Sequence, residues 1–409
     1  MGGAANKMPE QRRTLSMAAA LLICLCAGFG YAWSVIQTPI MEQHGWSGAQ
    51  VSAAYPLTVL CSTMSPLLCG AVIRKLGVRR CTIVGALLFG AGLILCSLMK
   101  QVWQLYLFYG VMTGLGVGFI YPGMMAYVVR LYPERSGAAS GLGTAAYGSG
   151  AILWAPSMVA LSDALSLSRA FCILGIGFLA VILFCAAFLH EPSQAAAPAE
   201  HTAPSAAGLR RCEMVRTTAF YLMVAVFTCA LVAGTIVISQ ASPILRQTLD
   251  YTAAQAAVFV SVFAACNMAG RFLWGGLSDK LGLRVTINLI FLLCILSMVS
   301  LAFARQPLPV LCAMGIAASC YGGFASVLTP MTARMFGTGY IGENYGVMYV
   351  VFGIASLIGP SLAVNLQTAD GYTGAFLAAA PLAATGLAGA QFLKPQCQQP
   401  VQGGNCCEK

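Results

Sequence analysis

Twelve stretches of about 20 mostly apolar residues follow one another along this chain, near 16–38, 50–72, 80–99, 102–126, 136–160, 168–189, 217–240, 253–277, 285–304, 308–331, 343–366 and 372–393. As a helix rising ~1.5 Å per residue, each reaches across the ~30 Å hydrocarbon core of a bilayer. Backbone polar groups in hydrocarbon must be paired within the chain, so such segments are helical. The expectation is an all-α membrane protein with twelve transmembrane helices, and a composition of 59% hydrophobic and 8% charged residues excludes an ordinary soluble globule. The first stretch follows Lys7, Arg12 and Arg13 in the manner of a signal sequence. It is long for a signal core and eleven more spans follow, so it is expected to remain as an uncleaved first helix.

A formal charge of +10 invites a nucleic-acid reading, and the placement of the cations decides against it. With a cytoplasmic N-terminus, 17 of the 22 Lys and Arg fall on the cytoplasmic side and four (Lys100, Arg169, Arg246, Arg305) on the other. That is the positive-inside pattern, which puts both termini in the cytoplasm. Compact loops favour a bacterial inner membrane. The 17 cysteines are scattered through the spans as small apolar packing residues, without metal-ligand spacing, and Cys406 and Cys407 lie in the tail. No metal or cofactor is expected, and a monomer is the default.

The stretch from His190 to Arg216 turns to Ala, Pro, Ser and charge, the composition of a linker. On either side the chain echoes itself at an offset near 205: Gly70 with Gly275, Gly77 with Gly282, Phe119 with Phe324, Tyr147 with Phe352, Gly148 with Gly353, and more loosely Gln37 with Gln240 and Pro39 with Pro243. A duplicated six-helix unit is implied, a repeat design that transporters use to rock around a central site. The expected division is a first bundle over 1–189, a linker over 190–216, a second bundle over 217–393 and a tail over 394–409. Gly110, Gly114 and Gly118 have the spacing of close helix packing, and Pro122, Pro156, Pro330 and Pro360 are expected to kink their helices.

One charge stands well inside a span. Arg271 lies eight residues before Asp279, ~12 Å into the eighth helix. A cation there costs at least ~2.5 kcal/mol by insertion scales, so it faces a wet cavity or an anionic partner. All twelve acids fall in loops, tails or helix ends, so the anion is expected from outside. Asn267, Arg271, Gly275 and Ser278 share one helix face. A guanidinium fork matches a carboxylate bidentately, and the competing reading is an arginine that snorkels to the interface.

The eighth span ends in Gly275-Gly276-Leu277-Ser278-Asp279-Lys280-Leu281-Gly282-Leu283-Arg284. The counterpart in the first half has Gly70, Arg74 where the acid would stand, and Gly77. This pattern resembles the cytoplasmic loop signature of the major facilitator superfamily, in which glycines permit a tight turn and the acid caps a helix or pairs with an arginine to hold a gate. A narrower resemblance runs through Gly30-Tyr31-Ala32-Trp33-Ser34-Val35, Asn267 to Arg271, and Asn344-Tyr345-Gly346. These segments are similar to the oxalate/formate antiporter family and its monocarboxylate transporter relatives. The resemblance implies the fold of two pseudo-symmetric six-helix bundles and substrate-carboxylate binding by Arg271. Oxalate transporters of the family resemble one another in an eleventh-helix lysine, but 336–393 holds neither Lys nor Arg, and the Tyr147 pairing puts Phe352 at that place. A single cation points to a monocarboxylate such as formate, lactate or pyruvate, with oxalate and formate exchange as the alternative.

Tyr31, Tyr121, Tyr147 and Tyr321, in the first, fourth, fifth and tenth spans and each beside glycine or proline, are expected to complete the cavity. Without an intramembrane acid or histidine, anion exchange needs no protein proton carrier, while symport with the proton on the substrate stays open. No zinc-binding pair, activated nucleophile or paired acids suggest an enzyme. A neutral, drug-like solute with a structural Arg271 is the remaining alternative.

Overall fold

The computed structural model describes residues 9–132, 136–190, 208–337, 340–368 and 371–394, with backbone only for 66–76, 129, 136–138, 140 and 342. Among the described residues it is built from helices: α1 Glu10–Ala27, α2 Trp33–His44, α3 Gly48–Ser52, α4 Ala54–Cys96, α5 Val102–Leu105, α6 Gly114–Leu131, α7 Ser136–Gly148, α8 Gly150–Ala164 and α9 Leu167–Ala187. After the linker come α10 Arg211–Met214, α11 Thr218–Leu249, α12 Ala253–Leu281, α13 Leu283–Phe303, α14 Pro307–Phe336, α15 Ile341–Met348, α16 Val350–Asn365 and α17 Thr373–Ala390. A tight 3-10 turn over Gly28–Ala32 joins α1 to α2, and a π-helical stretch over Tyr106–Thr113 joins α5 to α6.

Ten helical stretches among the described residues are long and apolar enough to cross a membrane. The two further expected spans are present in another form. The segment near 50–72 forms the first part of α4, whose helix changes direction at Gly77. The segment near 136–160 is broken at Ser149, which separates α7 from α8. Its counterpart is likewise broken at Tyr349. Pro156 and Pro360 thus sit inside α8 and α16, beyond the breaks. Many large apolar side chains, among them Phe184, Phe303 and Phe392, face outward, as a lipid-facing surface requires.

Helix ends follow local chemistry. Thr252 opens α12 with a capping box to Gln255, and Thr217 and Ser166 cap α11 and α9 by accepting backbone N–H bonds. Gly77 (φ 75°) and Gly282 (φ 83°), paired by the sequence repeat, adopt the same positive-φ turn, a conformation that favours glycine. The small-residue stripe in α6 serves packing: a Cβ on Gly114 would stand 2.6 Å from the Thr58 carbonyl oxygen, and one on Gly118 would stand 2.4 Å from Ser65 Cβ. The repeat also shows in helix crossings, since Gly28 meets Tyr147 and Gly150 in the first half while Thr235 donates to the Ala355 carbonyl in the second.

Close approach gives a stability prediction. A Cβ on Gly270 would lie 2.3 Å from the Ser319 carbonyl oxygen on α14, whose backbone cannot swing aside, whereas one on Gly177 meets nothing within 4 Å. Gly270→Ala is expected to destabilise the α12–α14 contact by roughly 1–3 kcal/mol. Gly177→Ala is expected to be neutral or slightly stabilising, because alanine favours helix. Thermal unfolding in detergent should place Gly270→Ala below the parent protein and Gly177→Ala at or above it.

Candidate functional site

Arg271 emerges from the middle of α12 into a cavity between the two halves of the chain, and the helices around it supply mostly phenol rings. Tyr31 comes from the 3-10 turn, Tyr121 from α6, Tyr147 from α7 and Tyr321 from α14, and all line this cavity with Arg271 and Phe352. The cavity has a volume of about 70 Å³, room for a solute of a few heavy atoms.

The guanidinium is held on one edge. Its Nε donates to Asn267 Oδ1 at 3.4 Å and its Nη2 to the Tyr31 hydroxyl at 3.2 Å. Gly148 offers the room for this pose, since a Cβ there would come within 3.3 Å of Nε. Among the described residues no carboxylate pairs with Arg271; the ion pair found is Arg246 with Glu42, 3.3 Å apart at an exposed end of the molecule. The positive charge therefore faces hydroxyls and ring edges. Tyr31 and Tyr147 meet edge to face at 5.5 Å, Tyr121 and Tyr147 lie 4.3 Å apart, and Tyr321 meets Phe352 at 5.9 Å. Such contacts fix the rings that line the void.

The sequence-derived residues divide into three groups. Arg271, Tyr31, Tyr121, Tyr147, Tyr321 and Phe352 come together around the cavity. Asn267, 1% exposed, stands behind Arg271 and does not line the void. The loop residues Gly275, Asp279, Lys280, Gly282 and Arg284 lie at the basic end of α12 and the start of α13, away from the cavity. Asp279 and Lys280 are exposed, and among the described residues Asp279 forms no ion pair; Arg284 Nη2 donates to the Gln391 carbonyl at 2.7 Å, which ties α13 to α17. No cationic partner of Asp279 is found among the described residues, and the side chains of candidate partners such as Arg74 and Arg135 lie outside them. Gly77 makes its turn as stated, while the side chains at Gly70 and Arg74, like Cys406 and Cys407, lie outside the described residues.

Sequence reasoning missed Tyr345 and Tyr349, which line the same cavity next to Phe352. Tyr349 lies 4.9 Å from the Phe352 ring and 6.4 Å from that of Tyr121, so it links the halves across the void. Tyr55, Thr58 and Ser62 of α4 also reach the cavity. Their signal was the alignment of Tyr55, Thr58, Val59 and Ser62 at helical spacing.

Away from the basic end, the halves are joined by a buried amide cluster. Gln37 Nε2 donates to Gln240 Oε1 at 2.9 Å and to the Ser239 carbonyl at 3.0 Å, and Ser52 donates to Gln37 Oε1 at 3.1 Å. Gln37 and Gln240, counterparts in the repeat, are 1% and 2% exposed. Ser261 on α12 contributes a bond to the Ala151 carbonyl at 3.3 Å.

Comparisons with known proteins agree with this architecture. Residues 18–360 match the model of the Major Facilitator Superfamily. The oxalate:formate antiporter of Oxalobacter formigenes is 27% identical over 94% of this chain and 92% of its own length. Monocarboxylate transporter 12 of Mus musculus is 24% identical over 78% of this chain and 72% of its own. Among solved structures, a bacterial homolog of the human lysosomal transporter Spinster superimposes with a TM-score of 0.68 at 18% identity, covering 94% of this chain and 95% of that one, a likeness of fold. With a family match over most of its length and a helical membrane architecture around a central cavity, this chain belongs to the Major Facilitator Superfamily of membrane transporters, which are not enzymes.

Proposed function

We propose that this transporter moves a small monocarboxylate, such as formate, lactate or pyruvate, by alternating access, as an anion exchanger or with the proton carried on the substrate. The observation that carries this reading is the lone guanidinium in the tyrosine-lined cavity, engaged through Nε and Nη2 by neutral groups and lacking a carboxylate partner among the described residues. The rest of the fork is left for an incoming carboxylate, and phenol hydroxyls are available to its oxygens. The relatives named above, an oxalate:formate antiporter and a monocarboxylate transporter, belong to the same substrate class. Phe352 lines the same cavity with an apolar ring, which suits a hydrogen or short alkyl group better than a second carboxylate.

In this reading the bundles over 1–189 and 217–393 are the moving bodies, 190–216 links them, and the basic end with the tail over 394–409 faces the cytoplasm of a bacterial inner membrane. The substrate-binding set is Arg271 with Tyr31, Tyr121, Tyr147, Tyr321 and Phe352, and the repeated glycine turns are the gating loops. Counterflow in proteoliposomes tests it: vesicles preloaded with unlabelled formate, lactate, pyruvate or oxalate are followed for entry of each labelled acid. Transient accumulation of a monocarboxylate is expected, and the absence of signal with all four would sink the proposal.

A second reading draws on the Arg271–Tyr31 bond, which spans the two halves. On that reading the arginine latches helices, and the aromatic cavity takes a neutral solute. Saturable uptake of an uncharged solute that Arg271→Gln leaves intact would favour it.

The amide cluster acts as the latch of the end away from the linker. Gln37→Leu strands the amide of Gln240 in a buried site, a cost of ~1–3 kcal/mol, while Glu42→Gln removes an exposed ion pair worth ~0–1 kcal/mol. Hydrogen exchange over 35–41 and 239–245 should therefore accelerate by tenfold or more in Gln37→Leu and change little in Glu42→Gln.

A further inference from the structure

We infer that Asn267 is a positioning residue that aims Arg271 into the cavity without neutralising it, so that the transported anion becomes the guanidinium's counter-charge. This inference rests on the function proposed above and adds a device that sets its coupling. Asn267 and Arg271 stand at i and i+4 on α12, where Oδ1 accepts from Nε at 3.4 Å. The Asn267 amide is buried and its Nδ2 has no partner. Exchanging the two amide ends would set a donor against the guanidinium, so the orientation with Oδ1 toward Arg271 is the sound one. A buried donor without a partner is a net cost, which an apolar side chain of similar size would avoid. The amide is therefore explained by what its oxygen does.

The surroundings hold that oxygen in place. A Cβ on Gly322 of α14 would lie 2.1 Å from the Asn267 carbonyl oxygen and 2.8 Å from Oδ1, so α14 packs directly on this residue. On the other side of the arginine, Gly148 leaves the space through which the guanidinium passes. Arg271 is thus threaded between a fixed acceptor and an open flank and cannot relax toward the interface without losing both Asn267 and Tyr31.

The chemistry turns on one charge. Aspartate has nearly the same shape as asparagine, and at i−4 from an arginine it would form an internal ion pair. Such a site would be charge-balanced when empty, and an incoming anion would have to compete with the protein's own carboxylate. With asparagine, the empty site carries a bare cation and the loaded site is neutral, which favours crossing of the membrane in the loaded state and hence exchange. The titratable groups facing Arg271 from the neighbouring elements are the phenols of Tyr31, Tyr121, Tyr147, Tyr321, Tyr345 and Tyr349, and none of the described residues lining the cavity is a carboxylate, imidazole or amine.

Counterflow of labelled formate in proteoliposomes tests this with Asn267→Asp and Asn267→Leu against the unaltered protein, across about pH 5 to 8, with thermal unfolding of each purified variant as the control for folding. Asn267→Asp should raise the half-saturating formate concentration about tenfold or more at neutral pH, with affinity recovering toward acid as the new carboxylate takes up a proton. Asn267→Leu should lose rate or affinity without acquiring that pH dependence. Wild-type behaviour of folded Asn267→Asp at neutral pH, or equal losses in both variants with no difference in pH profile, would overturn the inference while leaving carboxylate transport standing. Absence of exchange of any carboxylate by the unaltered protein would instead remove the proposed function and this inference with it.

Discussion

Arg271→Gln is expected to lower carboxylate exchange by about thirtyfold or more, and to leave the protein folded. Removing one member of a desolvated, hydrogen-bonded charge pair costs ~2–5 kcal/mol, which is roughly thirty- to several-thousand-fold in affinity. Glutamine keeps a polar group near Tyr31 and Asn267, which now contact the guanidinium, but supplies no charge. Arg271→Lys separates charge from shape: an ammonium retains attraction but loses the planar fork, so an intermediate loss of about tenfold is expected. Stability moves the other way. An unpaired cation in an apolar span is a cost to the folded protein, so its removal should raise the unfolding temperature or leave it unchanged. A latching arginine predicts the reverse, because losing the Arg271–Tyr31 bond would separate the halves. Counterflow and thermal unfolding on the same preparations therefore distinguish the two, and carboxylate exchange retained by Arg271→Gln would sink the carboxylate reading.

The membrane spans were legible because bilayer thickness sets their length, and nothing subtler than a run of apolar residues is needed to mark them. The turns at Gly77 and Gly282 were legible because duplication displays the same glycine twice, and both proved to have positive φ. Arg271 announced itself by its cost. What stayed hidden were departures from regular helix. Tyr31 sits in the 3-10 turn over Gly28–Ala32, and Tyr349 sits at the break between α15 and α16, so a steady 3.6-residue period carries the wrong face past either point. Tyr31 was found from its glycine neighbour, whereas Tyr349, between Met348 and Val350, had no such marker. A shared helix face does not say whether Asn267 or Arg271 reaches the void, and the shorter side chain ends against the arginine.

Phe352→Lys carries the second large effect, because it changes the charge that the cavity must balance. Phe352 is 6% exposed, packs against Tyr321 and Tyr349, and lines the cavity that holds Arg271. A lysine there can extend its ammonium into the same void, and two cations match a dianion as one matches a monoanion. Oxalate exchange is expected to appear, or to rise at least tenfold relative to formate, while formate affinity falls, since a single carboxylate leaves one of two desolvated cations uncompensated. The empty variant should unfold at a lower temperature than the parent, and oxalate should restore stability in proportion to its binding, as ligands that bind only the folded state do. An increment of roughly 2.7 kcal/mol at a hundredfold excess over Kd is large enough to read in a thermal shift. If the unaltered protein already exchanges oxalate as well as it exchanges formate, one cation suffices for a dianion and the argument from charge number fails. If the variant stays folded, binds no oxalate and still exchanges formate like the parent, position 352 does not meet the substrate, and contact with its apolar end must be assigned to Tyr321 and Tyr349 instead.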